Sequence, residues 1–183
     1  MALREIAKLG NPVLRRMAEP VSLEELAAPE TQQLIDDMIE TMRAAAGIGL
    51  AAPQVSVPKQ IQIIEIAANP RYPSAPTWPL TVLVNPEITF LTDERIEVWE
   101  GCLSVDGLRG KVRRTRRIAI RFLDRHGQEQ HLELEDFPAV VAQHETDHLV
   151  GKVFLDRMED MSSLAQIAEW ERYWLADPAL VTE

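Results

Sequence analysis

The stretch DFPAVVAQHETDHLVG, Asp136 to Gly151, decides the fold. Asp136 is a good helix N-cap, Pro138 suits a first helical turn, and Gly151 ends the segment. Between them, Val140-Val141-Ala142 and Leu149-Val150 flank His144-Glu145-Thr146-Asp147-His148. A helix so apolar is largely buried, and the rest of the chain has to pack around it. His144 and His148 are four residues apart, share one helical face and can reach one ion. Glu145 is rotated around the helix from the first histidine, where it can reach a water on that ion without ligating it. Two histidines and two acids are costly to bury without a task. The alternative, two chance histidines on a surface helix, does not suit the apolar flanks. Metal-assisted hydrolysis is the chemistry this spacing serves.

Outward from this helix, short strands alternate with turns. Val112 to Leu123 reads as one long strand, with Ile118, Ile120 and Phe122 inward and Arg117 and Arg121 outward. His126-Gly127 turns the chain into Gln130 to Glu135, where Leu132 and Leu134 alternate with His131, Glu133 and Glu135. Upstream, Gln60 to Ala67 is a strand, and Leu80 to Val84 is a short one stopped by Asn85-Pro86. Asn69 to Pro79, with Pro70, Pro73, Pro76 and Pro79, is an extended surface loop. Glu87 to Leu91 and Arg95 to Trp99 are further strand segments. Thr31 to Ala46 is a helix, with Leu34, Ile35, Met38, Ile39 and Met42 at helical spacing and Gly47 and Gly49 ending it. Asn11 to Met17 is a short helix with proline in its first turn, and Ser162 to Leu175 a last amphipathic helix. Without regular βαβ alternation the class is α+β: short antiparallel sheets around a central metal-binding helix towards the C-terminus. The 183 residues suit a single catalytic domain over 1–183.

Two imidazoles need a third ligand. Position 154 is Phe154, so no histidine follows the second at a spacing of six. Glu159, Glu169 and Glu171 keep open a zinc peptidase with a downstream carboxylate ligand. Cys102, in Glu100-Gly101-Cys102-Leu103-Ser104, is the better candidate. It follows a strand, Gly101 lets the backbone come close to another element, and a thiolate binds zinc or iron strongly. A passive core thiol or a nucleophile with a histidine base are its other readings. Gly47-Ile48-Gly49-Leu50-Ala51-Ala52-Pro53-Gln54 allows close backbone approach, and Gln54 can present an amide to a substrate oxygen. The same residues also suit an ordinary helix C-cap and loop.

Composition narrows the partners. A net charge of -10 excludes broad binding to nucleic acid or anionic membrane, and no apolar run is long enough to span a bilayer. One cysteine allows no intramolecular disulfide. Met1 to Glu5 lacks the apolar stretch of a signal peptide. These features predict a cytoplasmic protein with no DNA and no membrane partner.

In combination and order, the segments 47–54, 100–104 and 143–148 resemble the three signature motifs of peptide deformylases. Leu9 to Arg15 and Asp147 to Asp156 extend the resemblance over roughly residues 3 to 158. It implies removal of the N-formyl group from the formylmethionine of new polypeptides. It implies one divalent metal on Cys102, His144 and His148, iron(II) in the cell, with zinc, nickel or cobalt also fitting the ligands. Glu145 is then the general base, and Gln54 and the Leu103 N–H the oxyanion donors. Ile48 and Gly49 hydrogen-bond the peptide, and Val140 and Val141 line the methionine pocket. Arg109 matches a family position near the pocket mouth; a surface arginine is the equal alternative.

Several positions depart from the family pattern. Asp106 stands where many relatives have proline, which alters the rim of the substrate groove. Thr146 is a less usual filler of its motif and predicts little effect. Some bacterial relatives dock on the ribosome through a basic C-terminal helix. Here Glu159, Asp160, Glu169, Glu171, Asp177 and Glu183 outnumber Arg157 and Arg172. Lys111, Arg113, Arg114, Arg116, Arg117, Arg121 and Arg125 form a basic run, read as a solvated strand face or, second, as a transient contact with ribosomal RNA.

Overall fold

A computed structural model describes residues 2–67 and 75–175. In chain order its elements are helices α1 (Leu23–Ala27) and α2 (Pro29–Ala44), strands β1 (Gly49–Ala51), β2 (Ile61–Ile66), β3 (Trp78–Phe90), β4 (Arg95–Cys102), β5 (Val105–Thr115), β6 (Arg117–Leu123) and β7 (Glu129–Glu135), helix α3 (Asp136–Leu149), β8 (Ala165–Gln166) and α4 (Ile167–Tyr173). Short 3-10 turns link them, the first at Pro12–Arg15, where the Asn11 side chain accepts from the Val13 N–H. The strands form two antiparallel sheets, β1-β2-β3-β6-β7 and β4-β5-β8, which makes the class α+β. No helix among the described residues is long and apolar enough to cross a membrane.

α3 touches β1, β2 and β7 of the first sheet and β5 of the second. Ala139, Val141 and Ala142 pack on Ile64, Leu83, Ile118 and Ile120. Side-chain amides tie the helix to both sheets. Gln143 donates to the Thr115 carbonyl at 2.8 Å and accepts from its N–H at 3.1 Å. Thr146 donates to Ala142 O and to Gln62 Oε1 on β2. Thr146 is therefore more than a filler: its hydroxyl anchors the motif to the first sheet. Gly151 closes the helix at φ +72, and an added Cβ there would lie 2.7 Å from the Arg15 carbonyl oxygen. Asp136 does not cap by its side chain. It sits at φ +55 and accepts from Arg116 Nε instead.

α2 buries Leu34, Ile35, Met38, Ile39 and Met42 against Leu50, Ile61 and Ile63. It begins two residues before the expected Thr31 and stops at Ala44, with Ala46 turning through φ +51. α1, capped by Ser22, is too short to leave a periodic signal.

Four expectations are corrected. The strand from Val112 to Leu123 is two strands in two sheets: β5 pairs with β4, while β6 pairs with β3 and β7. Arg116, between them, donates its N–H to Glu94 O and accepts from Asp136 N–H. Asn85-Pro86 does not stop a strand but makes a bulge inside β3, where the register shifts between Val84 and Glu87. Asn85 takes φ +50 there, and its side chain bonds both the N–H and the carbonyl of Val21 at 2.8 Å. The last helix is Ile167–Tyr173 rather than Ser162–Leu175, because Ala165 and Gln166 are extended and pair with Arg109 and Leu108. Of the proline-rich loop expected at 69–79, Trp78 and Pro79 belong to β3, and residues 69–74 lie outside the described residues.

Candidate active site

α3 carries His144 and His148 to the end of β4, where Cys102 meets them. Cys102 Sγ and one nitrogen of each histidine lie within 4.8 Å of one another, the group of metal-ligating type found among the described residues. Sγ is 3.3 Å from His148 Nε2. Two ligands of one tetrahedral ion sit about 3.5 Å apart, so this spacing fits a metal. His144 Nδ1 lies 2.7 Å from Glu100 Oε2, which leaves its other nitrogen for the ion. Burial pushes the Cys102 thiol up, but the His148 and His144 imidazoles outweigh it and hold the thiol well below its ordinary range. The Ser104 N–H and Gln54 Nε2 also point at Sγ, at 3.4 and 3.5 Å. All of this favours a thiolate, the form that ligates. Glu159 is exposed beside Arg95 and Arg113, and Glu169 and Glu171 are exposed on α4, so the peptidase ligand set is not assembled.

Glu145 is buried beside the ligands, and its Oε2 has no hydrogen-bond partner. A buried carboxylate oxygen without a partner suits a water or substrate. Burial pushes the Glu145 carboxyl up to about 7, against the pull of His144 and His148. Gly49 makes room for it: a Cβ on Gly49 would come within 2.7 Å of Glu145 Cδ. The amide of Gln54 cannot flip freely, since its Oε1 accepts from Ala51 N–H at 2.8 Å and its Nε2 donates to Ser104 Oγ at 3.1 Å. That fixes the NH2 end towards Cys102.

One cleft collects most of the residues the sequence singled out. Ile48, Gly49 and Gln54 line it from β1 and the residues around it, Cys102 and Leu103 from the end of β4 and the turn after it, and Val140, Val141, His144 and Glu145 from α3. β1 is an edge strand of its sheet. Its free edge can accept an extended peptide as an added strand. His148 and Arg109 are not among the residues that line it. Arg109 is 2% exposed, so it is no surface arginine, and it lies against Gly101 of the lining. A Cβ on Gly101 would stand 2.9 Å from Arg109 Cζ, and the guanidinium stacks over Trp170 at 5.1 Å.

Sequence reasoning missed the charges behind the ligands. Arg114 grips Glu100 with two hydrogen bonds, 2.7 and 2.9 Å, and Asp147 with a third at 2.6 Å. Asp147 also binds Arg157. A line of paired charges thus runs His144–Glu100–Arg114–Asp147–Arg157. Burial pushes the Glu100 carboxyl up, but Arg114 and His144 prevail and hold it at about 2. The available signal was parity. Glu100 is two residues from Cys102, and Arg114 two from inward-facing Val112, on strands whose side chains alternate. Trp99 and Phe137 also line the cleft and were not singled out.

The basic run resolves into ion pairs. Lys111 and Arg113 meet Glu97, Arg116 meets Glu94 and Asp136, Arg117 meets Glu133, Arg121 meets Glu87 and Glu129, and Arg125 meets Asp36.

Residues 3–163 match the model of the polypeptide deformylase family. The chain belongs to this family. It is 49% identical to peptide deformylase 1 of Bordetella pertussis over 160 residues, 87% of this chain and 90% of that one. A peptide deformylase of Leptospira biflexa is 45% identical, covering 87% and 89%. Among solved structures, the class I type b peptide deformylase of Acinetobacter baumannii with Met-Ala-Ser bound matches with a TM-score of 0.83 at 40% identity, over 86% of this chain and 99% of that one. Deformylation of nascent chains is the activity of this family, a hydrolysis.

Proposed function

We infer that this chain is a peptide deformylase: it hydrolyses the N-formyl group from the formylmethionine of newly made polypeptides, in the cytoplasm, as one catalytic unit over 1–183. The observation that carries the reading is the meeting of Cys102, His144 and His148 beside the buried Glu145, whose Oε2 has no hydrogen-bond partner. One divalent ion would be held by those three residues, iron(II) in the cell, with zinc, nickel or cobalt able to replace it. Bound there, it would supply a Lewis acid and a water of lowered pKa.

The protein groups do the rest. Glu145 takes a proton from the attacking water and delivers one to the leaving amine, so that formate and a free N-terminal amine result. The Gln54 amide and the Leu103 N–H donate to the carbonyl oxygen as charge develops on it. Ile48 and Gly49 offer backbone hydrogen bonds along the free edge of β1. Val140 and Val141 wall the methionine side chain. Arg109 supports Gly101 from behind, and so acts on the mouth of the cleft without touching the substrate. Contact with the ribosome is transient at most in this reading, because the arginines of the basic run already have acidic partners.

Formate release from formyl-Met-Ala-Ser, measured with metal content on anaerobically prepared protein, tests this. The expected result is turnover with one divalent ion per chain, both lost in Cys102→Ala. A fully metallated, active Cys102→Ala protein would remove Cys102 from the site.

A further inference from the structure

The segment around Lys8 is stitched to both elements that carry the oxyanion donors. Ala7 N–H donates to the Gln54 carbonyl at 2.8 Å, and Leu9 N–H to the Ser104 carbonyl at 2.7 Å. Gln54 lies in the 3-10 turn Ala52–Val55. Leu103 and Ser104 form the tight turn between β4 and β5, where Cys102 pairs with Val105. Lys8 stands between the two stitches. Its Nζ donates to the Leu103 carbonyl and to Asp106 Oδ1, both at 2.9 Å. The peptide group that Lys8 grips by its oxygen carries the Ser104 N–H, and that N–H points at Cys102 Sγ, 3.4 Å away. One ammonium group thus holds a peptide plane whose other end faces the thiolate.

The turn needs such a hold. Leu103 lines the cleft and also a second cavity, of about 240 Å³, which Ile6, Lys8, Val105, Asp106 and Leu108 share. A side chain that borders empty space lacks packing partners there, so hydrogen bonds have to set the turn. We propose that Lys8, held by Asp106, is a positioning residue of the deformylase centre. Through the Leu103–Ser104 peptide it aims the Ser104 N–H at the metal-binding thiolate and sets the Leu103 N–H for the substrate oxygen. The proposal rests on the deformylase reading above. A hydrogen bond to a ligating sulfur draws charge from it and tunes the ion it holds. Asp106 thereby has a task that a proline in its place could not perform. Lys8 and Asp106 are both exposed, so their ion pair adds little to folding, and its effect is on the site.

The experiment loads wild-type, Lys8→Met, Lys8→Arg and Asp106→Asn proteins with cobalt(II). It reads the thiolate-to-cobalt charge-transfer band, kcat and KM on formyl-Met-Ala-Ser, and the urea midpoint. Lys8→Met should shift the band and lower kcat by about threefold to thirtyfold, less than the loss of a whole oxyanion donor. Its KM and urea midpoint should stay near those of wild type. Lys8→Arg should recover most of the kcat, and Asp106→Asn should fall between wild type and Lys8→Met in both band and kcat. A wild-type band or a wild-type kcat in Lys8→Met would overturn the proposal. So would a kcat loss accompanied by an equal change in KM and a fall in the urea midpoint, which a merely structural lysine would produce. A wild-type protein that releases no formate would instead overturn the deformylase reading, and the cobalt band would still decide whether Lys8 acts on the thiolate.

Discussion

Arg113 and Arg114 are adjacent in the chain and occupy opposite faces of β5. Arg113 points outward, its side chain 57% exposed, near Glu97 and Glu159 at 3.8 and 4.0 Å. Arg114 points inward, 5% exposed, with hydrogen bonds of 2.6 to 2.9 Å to Glu100 and Asp147. The residue type and strand are the same, and the surroundings differ. Water solvates and screens the outer pairs, so each is worth little. Nothing but its partners compensates the inner charge, so removing one member strands the others. The inner line also ends on His144, a candidate metal ligand, whereas the outer pairs lead to no site. Pairing alone thus does not mark function in this protein; burial next to a ligand does.

The largest effect that would sharpen this contrast is on stability. Arg114→Ala should cost about 3–5 kcal/mol in urea unfolding of the metal-loaded protein, because Glu100 and Asp147 stay buried without their cation. A loss below about 1 kcal/mol would mean that water reaches the inner line and the two faces are alike. Next is Glu100→Gln, which weakens the acceptor behind His144 while keeping its shape. Metal affinity should fall about 10- to 100-fold, read by competition with a chelator. Unchanged affinity would detach the charge line from the metal site. The smallest effect belongs to Arg113→Ala, which should change stability by about 0–1 kcal/mol, and less in high salt. A cost near that of Arg114→Ala would break the comparison from the other side.

The same contrast explains what the sequence reveals. α3 is legible because its apolar flanks, its bounding Pro138 and Gly151 and its histidine spacing are local. Cys102 and Gln54 are legible through their glycine-rich surroundings, and the inward set Ile118, Ile120 and Phe122 through alternation. Alternation does not say which sheet a strand joins, so the switch at Arg116 is hidden between two runs of the same period. The Asn85-Pro86 bulge reads as a stop, because proline lacks a donor and the rescuing partner, Val21, is 64 residues away. Arg114 is concealed among exposed arginines, since its burial depends on acids from β4 and α3. Arg109 is concealed likewise, because Trp170, which covers it, arrives at the far end of the chain.

The central claim is that Glu145 acts on protons while Cys102, His144 and His148 hold the metal. Glu145→Gln tests it most directly, with metal content and formate release from formyl-Met-Ala-Ser measured on one anaerobic preparation. The account predicts a folded protein with a full complement of metal and a rate lower by about a hundred- to ten-thousand-fold. A Glu145→Gln protein that keeps its metal and turns over at the wild-type rate would contradict it.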